Sequence, residues 1–232
     1  EGETAELILA YSAASGGILT ADDLATHHGD WVTPISAAYR DHELWEIPPN
    51  GAGLAALQAL SIMDGIAPGA SHVDTDHWHT AIEAMKIAFA DAEKYIADPT
   101  RKPVPTEALL DANYIASRRA LIGNVATAPM AGTPPKGGTV YLCAADKDGM
   151  MVSFIQSNYE GFGSGVVVPD WGISMQNRGH GFSLEPGHVN EATAGQRPYH
   201  TIIPSFLTRG AEAVGPFGVM GGFMQPQGHL QV

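Results

Sequence analysis

The 232-residue chain has a single cysteine, Cys143, so no disulfide can close within it. Positive charge is scarce as well. Lys and Arg number 12 against 25 Asp and Glu, a formal net charge of −13. That balance argues against nucleic acid or an anionic lipid surface as a partner. No apolar run reaches the roughly 18 residues that a membrane-spanning helix needs. No signal peptide is recognisable, and the chain opens at Glu1 rather than Met and stops at Val232 in an apolar-rich stretch. These ends are expected of a piece of a longer protein. The compartment, cytoplasmic or periplasmic and secreted, stays open.

Familiar chemical templates are missing too. The run from Gly132 to Lys136 lacks the Gly-Lys-Ser/Thr ending of a P-loop. Gly161-Phe-Gly-Ser-Gly165 sets its serine one place too late for a nucleophile elbow. His79 and Glu83 lie four apart on one helix face, but the second histidine of a zinc motif is absent, so a surface or capping role is expected of both. His27-His28 reads as a solvated helix end. No metal and no organic cofactor is called for.

What is present is enough for a sizeable core: 44% hydrophobic residues, with 27 Gly and 16 Pro to make turns around buried strands. Residues 4–15 predict a helix stopped by Gly16-Gly17. Thr20 with Asp23 predicts a capping box for a short helix at 21–27. Short strands are expected at Ile35–Tyr39 and Leu44–Ile47, then the Pro48-Pro49-Asn50-Gly51 turn and a helix over 52–64. Trp78, Ile82, Met85, Phe89, Ala92 and Ile96 step by four and three, which predicts a helix over 76–97 ended by Asp98-Pro99. Another helix is expected at 105–121. Residues 122–138 read as an exposed, cleavable linker rich in Pro and Gly. Strands follow: Val140–Ala145 and Met150–Ser157 around the Lys147-Asp148-Gly149 turn, then Val166–Val168, Ile173–Gln176, Thr201–Leu207 and Ala213–Met220. Helices dominate the first part and strands the second, an α+β pattern.

The linker runs straight into Gly138-Thr139 at the head of a strand. A hydroxyl is a weak nucleophile at neutral pH and needs a base. An N-terminal threonine carries one, because an α-amine titrates near 7.7–8.0. That amine exists only once the Gly138–Thr139 bond is broken, and the same hydroxyl can attack the preceding carbonyl. Taken alone this signal is weak: a threonine after a loop is ordinarily a β-forming residue, with the nucleophile as the alternative reading.

An ordered set of short motifs resembles the γ-glutamyltranspeptidase family, whose divergent branch includes cephalosporin-acylase-like proteins. Gly16-Gly-Ile-Leu-Thr-Ala-Asp-Asp-Leu24, Tyr39-Arg40, Pro48-Pro-Asn-Gly-Ala-Gly53 and the helix from His79 through Ala84, Lys86, Phe89, Asp91 and Tyr95 to Asp98-Pro99 resemble the end of its large subunit. Thr139-Val-Tyr-Leu, Asp148-Gly149, Val152-Ser153, Phe162-Gly-Ser-Gly165, Gly172-Ile173, Phe182-Ser183, Arg197-Pro198, Pro204 and Gly221-Gly222 resemble the start of the small one. The resemblance implies residues 1–138 from the large subunit, ending in the linker, and 139–232 from the catalytic small subunit. It implies a four-layer αββα sandwich of the N-terminal-nucleophile hydrolase type, incomplete in this chain, and a heterodimer made from one precursor.

It also implies roles. Thr139 matches the nucleophile, with cleavage between Gly138 and Thr139. Ser157 matches a supporting threonine. Gly221 and Gly222 match the pair whose N–H groups hold an oxyanion. Tyr159 and Arg178, with Asn158 and Gln176 nearby, fall where the family contacts the substrate's amino-acid end, and His200-Thr201 replace a serine pair. Gly181, after His180, replaces the acidic residue that holds the substrate ammonium. The short segment Ser183–Arg197 favours water over an amine acceptor. Three functions follow: an amidohydrolase or acyltransferase on small γ-glutamyl compounds such as glutathione, a glutaryl- or cephalosporin-type acylase, or an unprocessed, non-catalytic binding module.

Overall fold

The computed structural model describes residues 2–66, 74–127 and 138–232. The ten-residue stretch 128–137 within the expected linker therefore lies outside the described residues. Six helices precede it: α1 (Glu3–Ala14), α2 (Ala21–Thr26), α3 (Gly53–Asp64), α4 (Thr75–Tyr95), α5 (Thr106–Leu109) and α6 (Ala112–Arg119). Strands β1 (Ile35–Tyr39) and β2 (His42–Glu46) lie among them. After the linker come β3 (Gly138–Ala145), β4 (Met151–Tyr159), β5 (Val167–Val168), β6 (Ile173–Ser174), β7 (Ser205–Arg209), β8 (Glu212–Phe217) and helix α7 (Met224–Gln231). None of the described helices is long and apolar enough to cross a membrane.

The main sheet is antiparallel, in the order β1-β2-β7-β8. Its middle pairing, Glu43↔Thr208, Leu44↔Leu207 and Trp45↔Phe206, joins segments from the two sides of the linker. β3 and β4 form a separate hairpin that abuts β8, and β5 pairs with β6. Helix α3 is buried along nearly its whole length, as expected of a helix apolar on all sides. It lies between the sheet and α4. Ala55 and Ala59 of α3 meet Ala88 and Ala92 of α4 in one core cluster with Leu54, Met85, Ile96 and Leu109. Small residues on both helices let the backbones approach closely.

Several expected elements shift. The capping box is present, with Thr20 Oγ1 accepting from Asp23 N–H and Asp23 accepting from Thr20 N–H. The expected helix over 105–121 is two pieces. Asp111 accepts from the N–H groups of Asn113 and Tyr114 and so starts α6 afresh. In α4 the buried stripe is centred on Ala81, Ala84, Met85, Ala88 and Ala92, which leaves Trp78 and Ile82 at the exposed flank. The strand expected at Thr201–Leu207 begins only at Ser205.

Glu83 is a clear correction. It is buried, not at the surface, and its carboxylate takes Lys86 Nζ at 2.6 Å together with the backbone N–H and hydroxyl of Thr127. Lys86 also donates to Thr127 O. Burial alone would raise the Glu83 pKa, but Lys86 and Thr127 outweigh it and hold it low. This pair fastens the start of the linker to α4. His79 Nε2 donates to Gly123 O, 2.7 Å away.

Asp98 makes a second long-range tie. It is 1% exposed and accepts from Thr100 N–H and Oγ1, from Arg197 N–H at 2.9 Å and from the Arg197 guanidinium at 3.2 Å. Burial pushes its pKa up, yet these donors win and bring it from 3.8 to about 2. A folded pKa below the unfolded one means the stabilisation is complete above pH 3.8 and is lost as the pH falls toward 2. Asp98→Asn is expected to cost about 3 kcal/mol at neutral pH. Denaturant melts at pH 7 and pH 2.5 check this: the gap between wild type and variant should shrink at the lower pH.

Candidate active site

Thr139 stands one residue into β3, at a break in the ladder. Gly138 pairs with Tyr159 and Val140 with Gln156, so Thr139 alone faces both Ser157 and Asn158. Such a bulge re-aims side chains and is common beside active sites. Here it brings Thr139 Oγ1 to 3.3 Å from Ser157 Oγ, which it contacts as donor. Ser157 Oγ also accepts the Tyr159 N–H at 2.8 Å. Tyr159 ends the bulged strand at φ +79°, a left-handed backbone that a bulky residue adopts only under constraint.

That twist turns the Tyr159 ring inward, to 6% exposure. The Arg178 guanidinium lies 4.8 Å from its centre and the His180 ring 6.0 Å away. Burial raises the Tyr159 pKa, as does Glu160, against a smaller opposing effect of Arg178. Arg178 Nη1 donates to the buried Thr201 Oγ1 at 3.3 Å. Its Nη2 is buried with no partner among the described residues. Burial pulls the Arg178 pKa down, the signature of a desolvated cation. No described carboxylate forms an ion pair with it.

His200 completes this cluster. It is held by a parallel bridge to Gly51, with His200 N–H donating to Asn50 O and Ala52 N–H to His200 O. A Cβ on Gly51 would sit 2.7 Å from His200 Cε1, so the Pro48–Gly53 turn needs glycine there. His200 Nδ1 is buried without a partner among the described residues. Burial, then the Arg178 and Arg197 charges, lower its pKa to about 4, against a weaker effect of the Ile202 backbone. The ring is neutral at pH 7. Gly181 leaves no space for an acid: a Cβ would lie 2.4 Å from Tyr199 O.

Gly221 and Gly222 follow β8 at φ +126° and +61°, which only glycine adopts without strain. Their carbonyls accept from Met224 N–H at 3.2 Å and Gln225 N–H at 3.0 Å. Because a trans peptide points its C=O and N–H in opposite directions, the Gly222 N–H faces away from α7. Neither glycine N–H has a hydrogen bond among the described residues. No described hydrogen bond joins the pair to Thr139 either. The link is packing: a Cβ on Gly218 would lie 2.6 Å from the ring of Tyr141, two residues beyond Thr139 on β3.

Thus Thr139, Ser157 and Tyr159 meet at one bulge, and Tyr159, Arg178, His200 and Thr201 form a second, contiguous cluster. Two features escaped the sequence reading. His180 lies tilted beside the Tyr159 ring, and Gly218 receives Tyr141. The glycine-rich run Gly215-Pro-Phe-Gly-Val-Met-Gly-Gly222 was the available signal for the second.

A family model described as Gamma-glutamyltranspeptidase matches residues 1–232. The Glutathione hydrolase-like YwrD proenzyme of Bacillus subtilis (strain 168) is 36% identical over 228 residues, covering 98% of this chain and 43% of that protein. The Oxamate amidohydrolase proenzyme of Klebsiella pneumoniae subsp. pneumoniae is 36% identical over 226 residues, covering 97% of this chain and 43% of that protein. The crystal structure of a cephalosporin acylase from Bacillus halodurans matches with a TM-score of 0.92 at 55% identity, over 99% of this chain and 42% of that one. The chain therefore has the mixed helix-and-sheet fold of the corresponding part of that acylase and spans less than half the length of these relatives.

His200 offers a pH test. Its folded pKa of about 4 lies below the ordinary histidine value of 6.5, so the unfolded chain takes up the proton first. Stability from the neutral ring is complete above about 6.5 and declines as the pH falls toward 4. His200→Gln is expected to flatten that part of the profile, read as the difference in Tm between the two proteins from pH 7 to pH 4.

Proposed function

The chain belongs to the γ-glutamyltranspeptidase family, and we propose that it forms the core of an autoprocessing amidohydrolase in which Thr139 is both cleavage point and acyl acceptor. The observation that carries this reading is the β3–β4 bulge, which places the Thr139 hydroxyl against Ser157. In the proposed reaction Thr139 Oγ attacks the Gly138 carbonyl of the precursor, the Gly138–Thr139 C–N bond breaks to free the Thr139 amine, and water then cleaves the resulting ester, releasing the Gly138 carboxylate and restoring the hydroxyl. In turnover that amine takes the hydroxyl proton as Oγ attacks a substrate amide carbonyl. The N–H groups of Gly221 and Gly222 receive the negative charge on the oxygen, a contribution of roughly 3 kcal/mol per donor in such sites. The amine then passes the proton to the leaving nitrogen. Water, activated by the same amine, releases the acid from the acyl-enzyme.

In this reading residues 1–138 close a large subunit and 139–232 open a small one, both from one precursor. That both relatives, from Bacillus subtilis and Klebsiella pneumoniae, are proenzymes supports it. The whole protein would then build the four-layer αββα sandwich, to which this chain gives α3 and α4 over the main sheet.

The second cluster bears on the acyl donor. A γ-glutamyl group carries an ammonium, and no acidic side chain fits at Gly181 to receive it. Arg178 instead presents a buried, unpaired N–H to the site. A charge-assisted bond to a carboxylate would satisfy it. An amide whose acyl group ends in a carboxylate and lacks an α-ammonium, such as a glutaryl amide, therefore fits better than glutathione. The Oxamate amidohydrolase and cephalosporin acylase among the relatives are consistent with that chemistry.

Denaturing gels of the full-length protein should show two bands split at Gly138–Thr139, and Thr139→Ala a single band without activity. A single band for wild type would instead favour the non-catalytic binding module. Glutaryl anilide is expected to be hydrolysed faster than γ-glutamyl anilide. Arg178→Gln should lower kcat/KM for the glutaryl substrate by about 10- to 100-fold, the value of a charged hydrogen bond.

A further inference from the structure

Three polar side chains with no assigned role meet where the ends of β2 and β7 face α7. Glu46, at the end of β2, is 1% exposed; Ser205, at the start of β7, 1%; His229, on α7, 3%. His229 Nδ1 and Ser205 Oγ each lie 2.6 Å from Glu46 Oε1, and 2.7 Å from each other. This is not a second hydrolytic triad. Serine and carboxylate converge on the same ring nitrogen, and His229 Nε2 is buried with no partner among the described residues. Glu46 Oε2 is likewise unpaired. Its support is the first turn of α3: a Cβ on Gly53 would lie 2.8 Å from Glu46 Cβ and 3.1 Å from Oε2. The carboxylate thus sits at the positive end of the α3 dipole.

A buried polar group with an open valence is costly to fold. Its benefit must lie in what it holds in place, and that is α7. This helix has only eight residues, includes Pro226 and Gly228, and has no side-chain N-cap, so local propensity holds it weakly. Two residues four apart fix it instead. Gln225 Oε1 accepts from Ile203 N–H at 3.3 Å, and His229 joins the cluster one turn later. The first N–H groups of α7 hold the Gly221 and Gly222 carbonyls. A second route runs through Gly228, where a Cβ would lie 2.4 Å from Val219 Cγ2, just upstream of the pair.

We propose that Glu46, Ser205 and His229 are positioning residues for the Gly221–Gly222 donors, acting through α7. This rests on the reading of that pair as oxyanion holders. Because Glu46 precedes Thr139 and the other two follow it, the cluster would also couple the glycine pair of one subunit to the other after cleavage.

The test uses the full-length, self-cleaved enzyme with Glu46→Gln and Ser205→Ala. The number of acylated Thr139 sites is counted from the burst of anilide product, and kcat is expressed per acylated site. Displaced donors should lower kcat per site by about 10²-fold while KM stays within about threefold, since misplacement acts on the transition state. Ser205→Ala removes one hydroxyl from the same cluster and introduces no larger side chain, so it carries the test even if Glu46→Gln fails to fold. Unchanged kcat per site in a folded variant, with loss only in Tm or yield, would overturn the positioning role alone. A wild type that gives neither cleavage nor burst would overturn the functional reading, and this proposal with it.

Discussion

The pairing of β2 with β7 joins the helical part of the chain to the strand-rich part, and the rest of the arrangement hangs on it. Those three residue pairs span a sequence separation bridged by the linker. They bring Glu46 beside Ser205 and hold the Pro48–Gly53 turn against His200. Helix α3 then covers the sheet from inside, and α7 lies along α3. Were the backbone cut before Thr139, this sheet would still tie both pieces together, because ladder bonds and the buried α3 face do not depend on chain continuity.

Close approach is the second constraint. Gly51 admits His200, Gly53 admits Glu46, Gly218 admits Tyr141 and Gly228 admits Val219. Each contact puts a side chain where any Cβ would collide. Together they set the spacing between the strand of Thr139, the glycine pair and the cluster around Arg178. The glycines of this chain are thus spread between two tasks: turns in loops, and tight contacts that fix the site.

Local features were legible in the sequence. The capping box at Thr20, the helix over 53–64, the β3–β4 turn at Asp148-Gly149 and the position of Thr139 at a strand head all follow from spacing and turn chemistry within a few residues. The split at Asp111 was also local, an N-cap that the longer periodic pattern concealed. Glu83 was misjudged for a different reason. Its i,i+4 relation to His79 looked like an exposed face, whereas its partners are Lys86 and Thr127, and the second of these lies 44 residues away.

By itself the sequence determined the order of elements, the family of motifs and the residue types available for acyl transfer, since helix and strand periods, caps and turns are written in neighbouring positions. Only the tertiary structure decided that one threonine faces two residues across a bulge, that Tyr159 is twisted to a positive φ, and that Arg178 has a buried N–H without a partner. The same holds for Glu46 and His229, 183 residues apart yet in contact. Such facts depend on register and burial, which arise from packing between distant segments and have no local periodicity to announce them.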